Sequence, residues 1–257
     1  MLVLALDTAT PAVTAALHDG SRVLAESTTV DARRHGELLA PAVERVLRDC
    51  DASLRDVTVI VAGSGPGPYT GLRVGLMTAS ALAATVGVHA YGVCTLDAIA
   101  FASGRTEPFL VATDARRKEV FWARYGDART RLDGPRVDRP HDLPAELPVI
   151  GAGARMYAET IGGDRVGDPE YPSAGALAAL AAEHLAGLAP ERAAELARVP
   201  DGRIDSVEQA SGLAVLGPAR PIYLRRPDAQ IPGAPKKVLE QARRGEPRDE
   251  RGVVSGQ

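Results

Sequence analysis

The 257-residue sequence is poor in aromatic residues and in cysteine. Phe, Trp and Tyr make up 4% of the chain, too few for a stacking platform for nucleic-acid bases to be the first interpretation. Cys50 and Cys94 are the two cysteines, so the sequence contains neither a disulfide framework nor a CxxC motif. This cysteine content fits a reducing cytoplasm, which is the predicted location.

A large excess of charge of one sign is also lacking. The sequence has 30 basic and 33 acidic residues, and its net charge is −3 at pH 7. A protein that coats nucleic acid through bulk charge is therefore excluded, although a small local RNA contact is not. Residues 225–257 carry eight basic and five acidic residues, which leaves the rest of the chain at −6. Any weak contact with RNA is expected in this positive terminal segment.

Motifs for metal-dependent or nucleophilic catalysis are missing. The sequence has no HxxxH or HExxH pair and no Gly-x-Ser-x-Gly nucleophile elbow. The five histidines are His18, His35, His89, His141 and His184. A metallopeptidase is therefore a minor hypothesis, and we predict no catalytic residue, cofactor-binding residue or metal ligand in this chain.

No segment predicts a membrane span. The apolar residues 1–6 are too short for the core of a signal peptide, and Asp7 follows them at once. Residues 74–96 carry no formal charge, but small and polar residues interrupt them. They therefore predict a buried helix followed by a buried strand.

The first half of the chain begins with the predicted element order βββαβα. Short apolar runs bounded by turns predict strands, and apolar residues at helical spacing predict helices. The predicted strands are 2–7, 12–18, 22–30, 57–62 and 88–93, and the predicted helices are 36–49, 71–86 and 95–102. This order favours an α/β lobe in which helices flank a mixed sheet.

The second half starts in the same way as the first. The strand 109–114 (FLVATD) resembles 2–7 (LVLALD), and each is followed by a short break and another strand. We therefore expect two related lobes, over residues 1–103 and 104–225, and a mobile tail over 226–257. In the second lobe we predict irregular surface at 126–148, a short strand and turn at 149–153, a helix at 174–187 and a short terminal strand or extended segment at 221–225.

The most informative segment is the Gly- and Pro-rich loop that precedes helix 71–86. A glycine-rich loop at a helix N-terminus suggests phosphate binding. However, the Gly-Lys-Ser/Thr ending of a P-loop is missing, and Pro66 and Pro68 lack N–H groups. The glycine pattern of dinucleotide-binding folds is missing too. We interpret the loop as a rigid, shaped segment with Thr70 as the N-cap of the helix.

Two charged residues have alternative interpretations. Arg73 would lie in the first turn of the helix, where a cation opposes the helix dipole. It is either held by an anionic partner, such as a carboxylate of another chain or an RNA phosphate, or it is solvated. Asp7 ends the first strand, where actin-like ATPases place an acid near the nucleotide phosphates. Alternatively, Asp7 caps the turn that contains Ala9.

The run Gly-x-Gly-Pro-Gly-x-Tyr-Thr-Gly-Leu-Arg-x-Gly at residues 63–75 resembles the TsaB (YeaZ) family of bacterial tRNA threonylcarbamoyladenosine biosynthesis proteins. The opening LALDTAT, HGELLAP, VCTLDAIA, DARRKEVFWARY and the late PIYLR match as well, so the resemblance spans residues 2–225. The loop residues of this motif are Gly65, Pro66, Gly67, Tyr69, Thr70 and Gly71. The Arg-rich segment 124–139 and the tail after Arg225 match no pattern of the family.

The resemblance implies a two-lobed, actin-like (ASKHA, ribonuclease-H-like) α/β fold. It also implies a role in forming N6-threonylcarbamoyladenosine at position 37 of tRNAs that read ANN codons. In that family the protein is an inactive paralogue that binds and activates the catalytic, metal-holding TsaD subunit, and a small ATPase, TsaE, joins them. The chain is therefore expected to be no enzyme by itself, with ATP and metal on the partner subunits and with indirect or weak tRNA contact.

The resemblance places the partner interface on helices 36–49 and 71–86. The alternative is that their apolar side chains only cover the chain's own sheet. The predicted interface residues are Leu38, Leu39, Val43, Val46, Arg73, Leu76, Met77 and Ser80. Whether the free protein is a monomer or a homodimer stays open, and the runner-up function is an independent actin-like ATP-binding protein or kinase relative.

Overall fold

Two β-sheets with helices on their faces organise the chain. The structure is a computed structural model that describes residues 1–197 and 215–224. Its strands are β1 (Val3–Asp7), β2 (Ala12–His18), β3 (Val23–Val30), β4 (Val59–Gly63), β5 (His89–Val93), β6 (Phe109–Asp114), β7 (Val120–Asp127), β8 (Thr130–Asp138), β9 (Val149–Ile150), β10 (Val166–Gly167) and β11 (Leu216–Pro218). Its α-helices are α1 (His35–Arg48), α2 (Tyr69–Val86), α3 (Thr95–Ser103), α4 (Ala152–Met156), α5 (Ala158–Ile161), α6 (Ala174–Ala186) and α7 (Pro190–Ala197).

The first five strands of the chain and the next five have the same order in their two sheets, and β11 is added at the edge of the first sheet. In the first sheet the order is β11-β5-β4-β1-β2-β3, and in the second it is β10-β9-β6-β7-β8. In both, a central strand pairs antiparallel with the strand that follows it and parallel with a later one: β1 with β2 and β4, β6 with β7 and β9. The predicted echo between residues 2–7 and 109–114 is therefore confirmed, because β1 and β6 hold equivalent places.

The central strand β1 is buried on both faces, as its continuous apolar sequence predicts. Because side chains alternate along a strand, Leu4 and Leu6 pack with α1 and α2 on one face. On the other face, Val3 and Ala5 pack with α6. These layers confirm the α/β class, with two mixed sheets flanked by helices.

The prediction of irregular surface at 126–148 is wrong for Thr130–Asp138, which form β8. This strand lies at the edge of the second sheet and pairs with β7 through several register shifts. An edge position tolerates its Gly, Pro and charged residues, which hide the strand pattern in the sequence. The turn predicted to follow β9 contains α4, and α7 was not predicted.

The lobe boundary between residues 103 and 104 stays a prediction. The first sheet takes β11 from the C-terminal part of the chain, and α6 also packs on that sheet. Residues 221–224 contain no strand, so for this part of 221–225 the prediction of an extended segment holds rather than that of a strand. The predicted tail over 226–257 lies outside the described residues. Among the described helices, none is long and apolar enough to cross a membrane.

Candidate partner-binding surface and the glycine-rich loop

The Gly- and Pro-rich loop packs directly on the turn that follows β1. A Cβ added to Gly63 would lie 1.9 Å from Oδ2 of Asp7, and one added to Gly67 would lie 2.0 Å from the carbonyl oxygen of Ala9. Both distances are far shorter than any van der Waals contact, so these positions require glycine. The loop therefore packs closely over the β1 turn, and its glycines make this close approach possible.

The hydroxyl of Thr8 joins this turn to the start of α2. It donates to the carbonyl oxygen of Gly71 (2.7 Å) and accepts the N–H of Gly75 (2.9 Å). These two groups are four residues apart, which is the spacing of a backbone hydrogen bond within an α-helix. The absence of side chains at Gly71 and Gly75 lets Thr8 approach, since an added Cβ would lie 2.7 Å and 2.6 Å from its atoms.

Asp7 is fully buried and serves the turn. Its Oδ1 accepts the N–H of Ala9 (2.7 Å), and its Oδ2 accepts the hydroxyl of Thr95 (2.7 Å). The same hydroxyl accepts the N–H of Gly65 (3.1 Å), which ties the loop to the carboxylate. Burial raises the pKa of Asp7 from 3.8 to about 6, although the hydrogen bonds from Ala9 and Thr95 oppose the rise. These contacts agree with the turn-capping interpretation of Asp7.

A small cleft opens beside the turn, between the first residues of α1 and α2. It has a volume of about 170 Å³, and Thr10, Arg33, His35, Thr70 and Arg116 are among its lining residues. The ring Nε2 of His35 lies 2.8 Å from the carbonyl oxygen of Thr10. Small-molecule pockets usually measure about 300–1,000 Å³, so this cleft is small for a nucleotide.

Helix α2 begins one residue earlier than the predicted cap. Its first residue is Tyr69, and Pro68 occupies the N-cap position without a side-chain cap. The prediction of Thr70 as N-cap is therefore wrong, because the fixed φ of Pro68 already leads the chain into the helix. Arg73 becomes the fifth helical residue and lies beyond the first turn, so the expected conflict with the helix dipole is weaker.

Arg73 contacts two tyrosine side chains. Its guanidinium lies 4.2 Å from the ring centroid of Tyr69, and its Nε donates to the hydroxyl of Tyr223 (3.3 Å). The rings of Tyr69 and Tyr223 stack with centroids 5.3 Å apart. No ion pair joins Arg73 to a carboxylate of residues 1–197 or 215–224. The side chain is exposed to solvent and also contacts two tyrosines, so its binding to an anionic partner stays a prediction.

The outer face of α2 is apolar or small and has a single charge. Arg73 is the one charged residue among the 18 residues of the helix. Met77 is 67% exposed and Tyr69 is 44% exposed. Other exposed residues on this helix are Thr70, Ser80, Ala81, Ala84 and Thr85. We call the exposed side of α2, from Tyr69 to Thr85, the α2 face.

Comparison with known proteins identifies the family. The family model described as TsaD, tRNA N6-adenosine threonylcarbamoyltransferase, matches residues 22–161. TsaB of Escherichia coli, named a tRNA threonylcarbamoyladenosine biosynthesis protein, is 31% identical over 173 residues, which cover 62% of this chain and 74% of that protein. The chain belongs to the TsaB (YeaZ) family. An uncharacterised protein of Mycobacterium tuberculosis is 42% identical over 89% of this chain and 93% of its own length.

Solved structures support the membership of the TsaB (YeaZ) family. YeaZ from Pseudomonas aeruginosa matches with a TM-score of 0.63 and 29% identity over 72% of this chain and 92% of that chain. A second structure, of an uncharacterised protein with similarity to peptidase YeaZ from Pseudomonas aeruginosa, matches with a TM-score of 0.66 and 27% identity over 87% and 99%. The actin-like, ribonuclease-H-like fold of the family is therefore the fold of this chain.

The predicted interface residues of this TsaB-family chain differ in their exposure to solvent. Arg73, Met77 and Ser80 are exposed on the α2 face. Leu38 is half-buried and packs on the core beneath α1. The other four belong to that core and are less than a tenth exposed; they are Leu39, Val43, Val46 and Leu76. For these four, the alternative interpretation describes the structure, because they cover their own sheet. Binding to a partner stays a prediction.

The motif residues of the loop differ in exposure, and the absence of metal ligands stays a prediction. Gly65, Pro66, Gly67 and Gly71 lie in or next to the contacts with the β1 turn, whereas Tyr69 and Thr70 are exposed. No group of three His, Cys, Asp or Glu residues that could hold a metal ion occurs among the described residues.

Tyr223 lies beside the α2 face, and sequence reasoning missed it. It belongs to the late PIYLR segment, which the family resemblance includes but to which no role was given. The signal was an aromatic residue in a short segment near the end of the matched region. Its contact with a helix 150 positions earlier requires the fold, and no local pattern shows it.

Proposed function

We propose that this chain is the non-catalytic subunit of the complex that forms N6-threonylcarbamoyladenosine at position 37 of ANN-decoding tRNAs. In this proposal it binds and activates a TsaD-type transferase subunit, and a TsaE-type ATPase joins the pair. The names of its TsaB relatives support the pathway. The observation that carries the binding role is the α2 face, which presents apolar and small residues to solvent with one charge.

The composition of the α2 face suits contact with another protein. Met77, a large apolar side chain, is 67% exposed, and methionine is enriched in protein interfaces relative to the rest of the surface. Ser80, Ala81 and Ala84 have short side chains, so a second helix can approach the backbone of α2 closely. Arg and aromatic residues, here Arg73 and Tyr69, are common anchors of protein interfaces.

The accessory role is supported by the contacts of the β1 turn. The N–H of Ala9 is bonded to Asp7, and the N–H of Ala12 is bonded to the hydroxyl of Thr10. Backbone N–H groups that a phosphate would need are therefore used within the turn. In the proposal, ATP and the metal ion are bound by the partner subunits, and contact with tRNA is made mainly by the partner.

The experiment that tests this proposal mixes the chain with the TsaD-type subunit of the same organism on a sizing column. We expect the two proteins to elute together, and Met77→Glu to abolish joint elution because it places a charge in the centre of the α2 face. The matched control is Met156→Glu, since Met156 is 56% exposed in the second lobe. Separate elution of the wild-type proteins would refute the proposed function.

A second measurement addresses the pathway. Depletion of this chain in cells should lower N6-threonylcarbamoyladenosine in ANN-decoding tRNAs, measured by mass spectrometry of digested tRNA. Re-expression of the wild type should restore the nucleoside, whereas Met77→Glu should not. An unchanged nucleoside content after depletion would contradict the role in this modification.

A further inference from the structure

Arg73 and Tyr69 of the α2 face form a cluster with the neighbouring Tyr223, and this cluster has the geometry of a preformed binding site. We propose that the two tyrosines hold Arg73 in place to bind a carboxylate side chain of the partner subunit, and that Tyr223 is a positioning residue of that site. This inference rests on the proposed function, because it assigns a partner chemistry to the α2 face. It adds a residue from the end of the matched region to the interface.

Both tyrosines are fixed by the fold. Tyr69 is the first residue of α2, which Thr8 ties to the β1 turn. Next to Tyr223, the N–H of Ile222 donates to the carbonyl oxygen of buried Ser64 (2.7 Å). The stack of Tyr223 on Tyr69 therefore joins two anchored segments, and Arg73 lies over the ring of Tyr69 and donates to the hydroxyl of Tyr223.

Holding the guanidinium in place favours binding. A free arginine side chain loses conformational entropy when it pairs with a carboxylate. Here the ring of Tyr69 and the hydroxyl of Tyr223 have already ordered Arg73. The bond to Tyr223 uses Nε, and neither terminal Nη group has a hydrogen bond to a residue within 1–197 or 215–224. Those Nη groups have the planar geometry that matches a carboxylate.

The surroundings favour a carboxylate of a protein over an RNA phosphate. Sites that bind nucleic acid backbones usually combine several cations, whereas Arg73 is the single charge on α2. Its exposed neighbour one turn on is Met77, an apolar residue. The chain before residue 225 carries a net charge of −6, which repels a polyanion. An acidic residue on an otherwise apolar partner surface complements this face.

The test compares dissociation constants for the TsaD-type subunit, measured by calorimetry. Arg73→Ala should weaken binding by about tenfold or more, because it leaves the partner carboxylate without its cation. Arg73→Lys should also weaken binding, since an ammonium group lacks the planar fork. The matched control is Arg22→Ala on the β2–β3 turn, where Arg22 is exposed and lies near Asp19. It should bind as the wild type does.

The positioning role of Tyr223 is tested by non-additivity. Tyr223→Ala should weaken binding in the wild-type background but have no further effect in the Arg73→Ala background, because its role acts through Arg73. Tyr223→Phe keeps the ring stack but removes the hydroxyl that accepts the Nε N–H of Arg73, so it should also weaken binding, by less than Tyr223→Ala. Equal losses for Tyr223→Ala in both backgrounds would show a merely structural role and overturn this assignment.

The carboxylate itself is found by charge reversal. Arg73→Glu should abolish binding, and one Asp→Arg or Glu→Arg change on the partner should restore it. If the wild-type chain binds and Arg73→Ala leaves the dissociation constant unchanged, the binding-site inference is refuted while the proposed function stands. If Arg73→Ala instead lowers tRNA binding alone, the ligand is a phosphate and the inference is also refuted. Failure of the wild type to bind refutes the proposed function itself.

Discussion

The hydroxyl oxygen of Thr8 accepts the backbone N–H of Gly75 at 2.9 Å, across 67 positions of the sequence. The same hydroxyl donates to the carbonyl oxygen of Gly71, so it bridges two groups that are one helical turn apart. Helix α2, which bears the proposed partner surface, is thereby attached to the turn after the central strand. The orientation of the α2 face depends on this attachment.

Thr8→Val tests the attachment, because valine keeps the shape of threonine and removes the hydroxyl. The carbonyl oxygen of Gly71 and the N–H of Gly75 then lose the hydroxyl but can bond to each other at helical spacing, so the free energy of unfolding should fall by about 1 kcal/mol. The measurement is urea denaturation of both proteins. Thr85→Val is the control, since the exposed hydroxyl of Thr85 bonds only to Ala81 of its own helix. An unchanged urea midpoint for Thr8→Val would show that the bridge is dispensable.

Gly67→Ala tests the closure of the loop on the β1 turn. The new methyl group would lie 2.0 Å from the carbonyl oxygen of Ala9, so the backbone must move. We expect a loss of about 1–3 kcal/mol or more in the free energy of unfolding, as for other overpacked sites. Gly36→Ala is the matched control, because nothing lies within 4 Å of its added Cβ. That variant should be at least as stable as the wild type, since Gly36 lies in the first turn of α1 and alanine is the better helix former.

Much of the fold was predictable because its central elements have strong local patterns. The continuous apolar runs of β1 and β4 and the helical spacing of α1 indicate buried strands and an amphipathic helix directly. The repeat was visible for the same reason, since β1 and β6 are both buried on two faces. Strand β8 was not predictable, because an edge strand owes its conformation to pairing with β7 rather than to its own hydrophobicity.

The site was predictable only in part. The unusual Gly and Pro content marked the loop, and glycine is needed there for close backbone approach. The burial of Leu39 and Leu76 was not distinguishable from exposure, because periodicity shows which residues share a face but not what that face meets. The contact of Tyr223 with Tyr69 joins distant segments and requires the assembled fold.

The contribution of Asp7 to the stability of the protein should fall as pH rises from about 4 to about 6, in proportion to the ionisation of this carboxyl group. Burial raises the pKa of Asp7 from 3.8 to about 6. The folded state therefore holds this proton at a pH where the unfolded chain has released it, and folding is favoured below this window. Above it, the buried charge costs roughly 2–3 kcal/mol. Asp7→Asn should remove this dependence, measured by urea denaturation at a series of pH values.

Asp19→Asn supplies a control with the opposite sign. Hydrogen bonds from the hydroxyl of Ser21 and the backbone N–H groups of Arg22 and Ser21 lower the pKa of Asp19. Its contribution to stability is therefore present at neutral pH and lost as pH falls. As pH falls, the difference in the free energy of unfolding between wild type and variant should change in opposite directions for Asp7→Asn and Asp19→Asn. The same direction for both would contradict the assignment of Asp7 as a destabilised buried carboxylate.

Charge at Leu39 and charge at Met77 should have different effects on folding, although both positions were predicted to meet a partner. Leu39 is 1% exposed in the core beneath α1, so Leu39→Glu should lower the free energy of unfolding by about 4 kcal/mol or more. Met77→Glu lies on the surface and should change it by no more than about 0.5 kcal/mol. Thermal denaturation measures both. A folded Leu39→Glu variant of normal stability would mean that α1 does not pack as described.

The chain alone should not bind Mg-ATP in titration calorimetry. Phosphates bound at the β1 turn would need backbone N–H groups, but those of Ala9 and Ala12 are bonded to side chains of the turn. The carbonyl oxygen of Ala9 is also covered by the loop at Gly67. Lysine is scarce as well, since Lys118 is the one lysine before residue 236. A TsaE-type ATPase serves as the positive control under the same conditions. A saturable heat signal with one site per chain would instead favour an independent actin-like ATP-binding protein. Because Gly67→Ala disturbs the closed turn, it would then be expected to change the affinity for Mg-ATP.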